Sequence, residues 1–145
     1  MLKSRETDNI KRIQVNDLCN CFSFWDFEYN IEKRIRIENE MIAETRQIYA
    51  YISEGKYVAG MSLQQLENNV VYLSYLVVKE DCRNQGIGTE MIEYACQLCK
   101  KNRNLYLMLS VDKDNSGAEN LYRKLGFTKT EVNNDNRIEM IKYLF

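Results

Sequence analysis

A junction at residues 77–91 constrains this chain more than any other feature. A β-branched apolar run ending in Val77 and Val78 passes through Arg83-Asn84-Gln85-Gly86-Ile87-Gly88-Thr89 into an amphipathic helical run. The first backbone N–H groups of a helix have no intrahelical partner, and the macrodipole places partial positive charge there. A strand-loop-helix junction of this kind holds an anion by main chain alone. Gly86 and Gly88 remove Cβ atoms that block close approach and permit φ > 0 in the turn, while Arg83 adds a guanidinium suited to phosphate oxygens. The segment reads as a pyrophosphate cradle.

Two widespread cradles do not fit. A dinucleotide fingerprint requires a third glycine where this chain has Met91, and a P-loop requires Lys-Ser/Thr where it has Thr89-Glu90. Arg83-x-x-Gly86-x-Gly88 resembles instead the acyl-CoA pyrophosphate motif of the GNAT N-acetyltransferase superfamily. Downstream, the segment running from Asn115 through Ala118 and Tyr122 to Gly126-Phe127 is similar to the superfamily's Asn-x-x-Ala-x-x-x-Tyr-x-x-x-Gly-Phe, at about the usual distance. The two matches in order are more specific than either, and they cover residues 70–127.

The resemblance implies an α/β (α+β) fold of GNAT type over residues 1–145 as one domain. Its sheet is mixed, mostly antiparallel, with six or seven strands and helices on both faces. The length alone sets one domain as the default and permits a substantial core. A net charge of −1 and a pI near 5.6 leave no electrostatic case for nucleic acid or an anionic membrane. The N-terminal residues 1–6 lack the apolar core of a signal peptide, and no stretch approaches the ~20 apolar residues of a membrane span. A cytoplasmic location is expected, and five cysteines, an odd number, fit a reducing compartment. Cys19-x-Cys21 and Cys96-x-x-Cys99 lack histidine or a matching second pair, so no metal site is expected.

Along the chain, Ile10 and Ile13 suggest a short strand, and Leu18, Cys19 and Phe22 a helix after Asn16-Asp17. An aromatic cluster at residues 22–29 follows. Ile31, Ile35, Glu38 and Ile42, with Arg34 and Met41 between them, read as a second helix. Strands over 47–52, 57–63 and 70–78 are separated by turns at Glu54-Gly55-Lys56 and Glu67-Asn68-Asn69, an antiparallel meander. After the cradle, Ile87, Met91, Tyr94, Ala95, Leu98 and Cys99 form one helical face. A strand at 105–111 then lies parallel to 70–78 across the helix. Ala118, Leu121, Tyr122 and Leu125 mark the inner face of the next helix, which Gly126 caps, and 127–132 and 138–144 close the chain as a hairpin.

The chemistry implied by the resemblance is N-acetylation of a primary amine by acetyl-CoA, with direct attack in a ternary complex. The cradle residues Arg83, Asn84, Gln85, Gly86, Ile87, Gly88 and Thr89 would hold the pyrophosphate. The strand backbone at Leu76, Val77 and Val78 would meet the pantetheine arm, and a main-chain N–H there would polarise the thioester oxygen. Asn115 would contact the pantetheine or stabilise its helix. Tyr122 is the implied general acid: its phenol (pKa about 10) is matched to a thiol (about 8.5) within about two units.

The base is a gap. Carrying an alkylammonium of pKa about 10.4 to its neutral form at pH 7 costs about 4 kcal/mol, so a nearby carboxylate is expected. Where related protein-acetylating enzymes carry a glutamate, this chain has Tyr72, with Ser74 on the same strand face. The options are Asp26 or Glu28, a water chain through Tyr72 and Ser74, or an acceptor of low pKa. By the same resemblance Trp25, Asp26, Phe27, Glu28 and Tyr29 are candidates for the acceptor pocket, against a purely packing role for the aromatics. The acceptor is expected to be a small molecule or peptide, its identity open. The alternatives are transfer of another acyl group or to another acceptor, or a non-catalytic acyl-CoA-binding or regulatory module. The apolar end at residues 141–145 is a candidate homodimer surface.

Overall fold

The computed structural model describes residues 9–21, 24–25, 29–133 and 136–145, and of 131–133 the backbone alone. Strand β1 (Ile10–Ile13) leads into a 3-10 helix (Val15–Cys21) and α1 (Ile31–Ile42). Three strands follow, β2 (Arg46–Ser53), β3 (Lys56–Gln65) and β4 (Val70–Val78). A short 3-10 turn (Glu80–Cys82) precedes α2 (Ile87–Lys101), β5 (Tyr106–Asp112), α3 (Ser116–Lys124), β6 (Thr128–Asn133) and β7 (Arg137–Tyr143). The seven strands form one sheet in the order β1-β2-β3-β4-β5-β7-β6. All neighbours are antiparallel except β4 and β5, which α2 connects as a crossover.

Local chemistry sets the connections. Glu54 and Gly55 adopt φ of 51° and 76° between the paired Ser53 and Lys56, a two-residue turn whose twist suits a hairpin. Asn68 and Asn69, at φ 62° and 61°, return β3 into β4, a conformation asparagine tolerates well. Asn115 caps α3, its Oδ1 accepting the Ala118 N–H at 3.0 Å, and Gly126 at φ 99° ends that helix before the buried Phe127.

The sheet carries a core on each face. Val71, Leu73, Leu107, Leu109 and Met140 pack under α2 and α3. Ile48 and Ala50 pack under Leu18, Cys21, Trp25, Ile37 and Met41 from the N-terminal elements. The strands lie close to the expected bounds, but three helical details differ from the sequence reading. The first helical segment is a 3-10 helix, Val15–Cys21. In α1 the sheet-facing residues are Ile37 and Met41, while Ile31, Ile35 and Ile42 are exposed. Isoleucines occur around much of this helix, so spacing alone does not choose the face; the packing of Met41 and Ile37 onto Ile48 does. On α3, Leu121 is exposed and Ala118, Tyr122 and Leu125 face the core.

Trp25 is the keystone of the N-terminal face. It is 8% exposed and lies edge-on to Phe24, with ring centroids 6.1 Å apart. It rests on the backbone of β3: a Cβ built on Gly60 would stand 2.9 Å from Trp25 Cζ2. Gly60→Ala is therefore expected to destabilise the protein by about 1–3 kcal/mol through overpacking against a rigid ring, read from urea denaturation midpoints. A companion Trp25→Leu change should remove most of the added methyl's cost, since the two closest approaches are to Trp25 and a third, to Phe24 Cδ2 at 3.3 Å, remains.

Candidate active site

The site begins with an irregularity in β4. Ser62 pairs with Ser74 and Gly60 with Val77, so Met61 of β3 opposes two residues, Tyr75 and Leu76. This is a β-bulge, and Tyr75 takes φ of 55°, a left-handed conformation that costs a non-glycine residue roughly 1–2 kcal/mol. The Trp25 indole N–H donates to the Tyr75 carbonyl at 2.8 Å, satisfying a group that the bulge removes from the regular ladder. The bulge also reverses side-chain parity. Val71 and Leu73 point into the α2/α3 core, and beyond the bulge Leu76 and Val78 do so.

β4 and β5 pair only over Val70–Tyr72 and Tyr106–Met108. Past that point the strands separate, and Tyr72 spans the mouth of the split by donating its hydroxyl proton to Ser110 Oγ at 3.0 Å. A cavity of about 460 Å³ occupies the split. From β4, Tyr72, Ser74, Tyr75 and Leu76 line it; from β5, Leu109 and Ser110. Arg46 and Gln64 close one end, and Tyr122 and Arg137 the other.

Tyr122 reaches the cavity from α3, packed edge-to-face on Phe127 with centroids 6.0 Å apart. Burial raises its phenol pKa above the ordinary value, and the nearby Arg137 guanidinium partly offsets the rise. The phenol is thus protonated throughout the neutral range and able to donate. Arg137 is itself fixed by Asp112 Oδ1 at 3.0 Å and the Ser110 carbonyl at 3.1 Å.

The opposite end is a buried polar network. Arg46, 6% exposed, gives Nε to Glu40 Oε1 at 3.2 Å and Nη1 to Ser62 Oγ at 2.6 Å. Its Nη1 also lies 3.5 Å from Ser74 Oγ, and its Nη2 donates to Gln64 Oε1 at 3.0 Å. Gln64 Nε2 in turn donates to Glu40 Oε2 at 3.1 Å. Sequence reasoning singled out neither Arg46 nor Gln64. The usable signal was an arginine opening a strand of otherwise apolar alternation, on the row that pairing runs through Gln64 to Tyr72.

The glycine loop lies at the far end of β4. Asn84 and Gly86 both have positive φ, 65° and 83°, and Gly86 forms the N-cap of α2 without any capping side chain. A Cβ on Gly86 would meet nothing within 4 Å, and one on Gly88 only Val78 Cγ2 at 3.9 Å. Protein packing therefore does not require glycine at 88, which fits an approach by something outside the chain. Arg83 is folded back, its Nε donating to the Val78 carbonyl at 2.9 Å and tying the loop to the strand end.

Of the residues singled out from sequence, Tyr72, Ser74, Leu76 and Tyr122 meet at one cavity. Val77 and Val78 lie farther along β4, toward the loop of Arg83, Asn84, Gln85, Gly86, Ile87, Gly88 and Thr89. Asn115 spends its Oδ1 on the α3 cap. Trp25 stands behind Tyr75, among the buried residues of the N-terminal core. Tyr29 is exposed, and Asp26, Phe27 and Glu28 lie outside the described residues, as do Phe22 and Ser23.

The sequence profile of the Acetyltransferase (GNAT) family matches residues 14–127. The chain belongs to the GNAT family. An uncharacterized N-acetyltransferase of Methanocaldococcus jannaschii is 35% identical over 66 residues, 46% of this chain and 29% of the relative. The GCN5-related N-acetyltransferase 6 of Arabidopsis thaliana, a chloroplastic protein, is 30% identical over 81 residues, 56% of this chain and 28% of the relative. The matched segments thus span under a third of these relatives' length. Among solved structures, the PaiA N-acetyltransferase of Thermoplasma acidophilum, in complex with coenzyme A, superposes with a TM-score of 0.78 at 17% identity. That match covers 92% of this chain and 97% of the other, and at such identity it establishes the GNAT fold.

The Arg46 network makes a stability prediction for this GNAT chain. Glu40→Ala leaves a buried guanidinium without its carboxylate and is expected to cost about 2–4 kcal/mol, seen as a lowered Tm.

Proposed function

We propose that this protein is an N-acetyltransferase that transfers the acetyl group of acetyl-CoA to a primary amine by direct attack in a ternary complex. The observation that carries this reading is the split between β4 and β5, with Tyr122 on one wall and a glycine-opened helix start at the end of the same strand. Bound acetyl-CoA supplies an acyl group activated as a thioester. The backbone N–H groups of Gly86, Ile87, Gly88 and Thr89 and the Arg83 guanidinium hold its pyrophosphate, with Asn84 and Gln85 shaping the loop. Along Leu76, Val77 and Val78 β4 has no ladder partner on β5, so apart from the Val78 carbonyl, which Arg83 occupies, main-chain groups there can meet a bound arm and an N–H a thioester oxygen. Asn115 fixes the start of α3 and hence the position of Tyr122.

Tyr122 acts as the general acid, returning a proton to the departing thiolate. Ser74, Ser110 and Tyr72 offer hydroxyls from which a water relay can take a proton from the amine, the Tyr72–Ser110 hydrogen bond being its fixed part. Among the described residues no carboxylate lines the cavity. Tyr72, at the position where a carboxylate base is expected, supports the second reading, a non-catalytic acyl-CoA-binding or regulatory module. The five free thiols suit residence in a reducing cytoplasm, and no helix among the described residues is long and apolar enough to cross a membrane.

Calorimetric titration should show micromolar acetyl-CoA binding, lost in Gly86→Glu, which adds bulk and charge where the fold leaves open space. No binding by folded wild type would end both readings. In an amine panel, Tyr122→Phe should lower kcat by about 10²–10⁴-fold with acetyl-CoA affinity retained. Binding without turnover of any amine would leave the non-catalytic reading. Because burial raises the Tyr122 pKa, its acid form persists to higher pH than an ordinary phenol's, so kcat should show no fall from this group across the neutral range.

A further inference from the structure

The end of the cavity opposite Tyr122 is built around Arg46, a residue that is almost wholly buried yet lines the open space. Its hydrogen bonds to Glu40, Ser62, Ser74 and Gln64 account for four of its five N–H groups, leaving one on Nη2. The network does more than neutralise the charge, for it fixes the guanidinium plane at the cavity wall. An arginine so fixed loses little entropy on taking a further partner.

The surroundings decide the sign of that partner. Among the described residues, the charged side chains lining the cavity are Arg46 and Arg137, both cationic. Their carboxylate partners, Glu40 and Asp112, stand outside the lining, Glu40 engaged through both oxygens. The Tyr75 ring on the same wall carries a third cation, with Lys33 Nζ 4.5 Å from its centroid and Arg46 Cζ 5.9 Å away. An acceptor with several ammonium groups, such as a polyamine or a lysine-rich peptide, would bring like charges together in a partly desolvated space.

We propose that the amine acceptor also bears a carboxylate, and that Arg46 binds it. The acceptor class is then a small amino acid or an amino acid derivative with a free carboxyl group. Its carboxylate accepts from Arg46 Nη2, with the Ser74 hydroxyl beside it, and its amine lies toward the split between β4 and β5. This assignment rests on the acetyltransferase reading above and deepens it. Arg46 is a specificity residue and takes no part in the proton transfers.

The test is thiol release from acetyl-CoA by wild-type protein with the twenty amino acids, each beside its carboxamide and its decarboxylated amine. Spermidine and a lysine-containing peptide complete the set. At least one amino acid should exceed its amide and its amine in kcat/KM by about 10- to 100-fold, the difference lying in KM. Arg46→Lys should erase that preference while acetyl-CoA affinity, measured by calorimetry, is unchanged. Equal or better rates for the amides, the decarboxylated amines, spermidine or the peptide would overturn the carboxylate assignment and leave the acetyltransferase reading standing. Absence of turnover with every compound, in a protein that binds acetyl-CoA, would overturn both. The wild-type comparison decides even where Arg46→Lys does not fold.

Discussion

The hydrogen bond from the Trp25 indole to the Tyr75 carbonyl is the contact on which the site depends. It holds a tyrosine in a left-handed conformation in the middle of a strand that is otherwise regular. The bulge that results bends β4 and shifts its alternation by one residue, so that Tyr72 and Ser74 face the cavity before it while Leu76 and Val78 return to the core after it. The pairing of β4 with β5 ends at Tyr72, just before the bulge, and the cavity lies beyond that point. The strain is local, and the second core around Trp25 offsets it.

The two walls of the split have different characters because different elements supply them. Tyr122 comes from a short helix held at one end by the Asn115 cap and at the other by Gly126 and Phe127, a frame that leaves the phenol little freedom. Arg46 comes from the sheet itself, and its partners come from α1, β3 and β4. Burying such a network is costly unless each group finds a partner, and here nearly every donor and acceptor does. The result is a cavity with a fixed guanidinium on one side and the Tyr122 phenol on the other.

The glycine loop illustrates how function and fold make separate demands. Gly86 is required by its conformation, being at φ 83°, and Gly88 is not required by the chain's own packing. Arg83, which composition alone would leave as a free cation, also fastens the loop to the end of β4. The same side chain can therefore support the loop's shape and contribute charge to an anion held there.

Much of this was legible before any coordinates. The seven strands follow from alternation and from turn residues with left-handed propensity, and the parallel β4–β5 pair follows from the helix between them. The cradle and the Asn115 to Phe127 segment are local, so their spacing carries their meaning, and both led to the family that the profile match assigns. Tertiary contacts decided the rest. Which face of α1 is buried depends on Ile48 and Ala50 of β2. The bulge depends on Trp25 reaching a carbonyl fifty positions later. Arg46 looks in sequence like any arginine at a strand end, and becomes part of the cavity only because pairing aligns it with Gln64 and Tyr72. Periodicity records what each segment does to its own neighbours; it is silent on which distant groups will satisfy a buried charge or a bent strand.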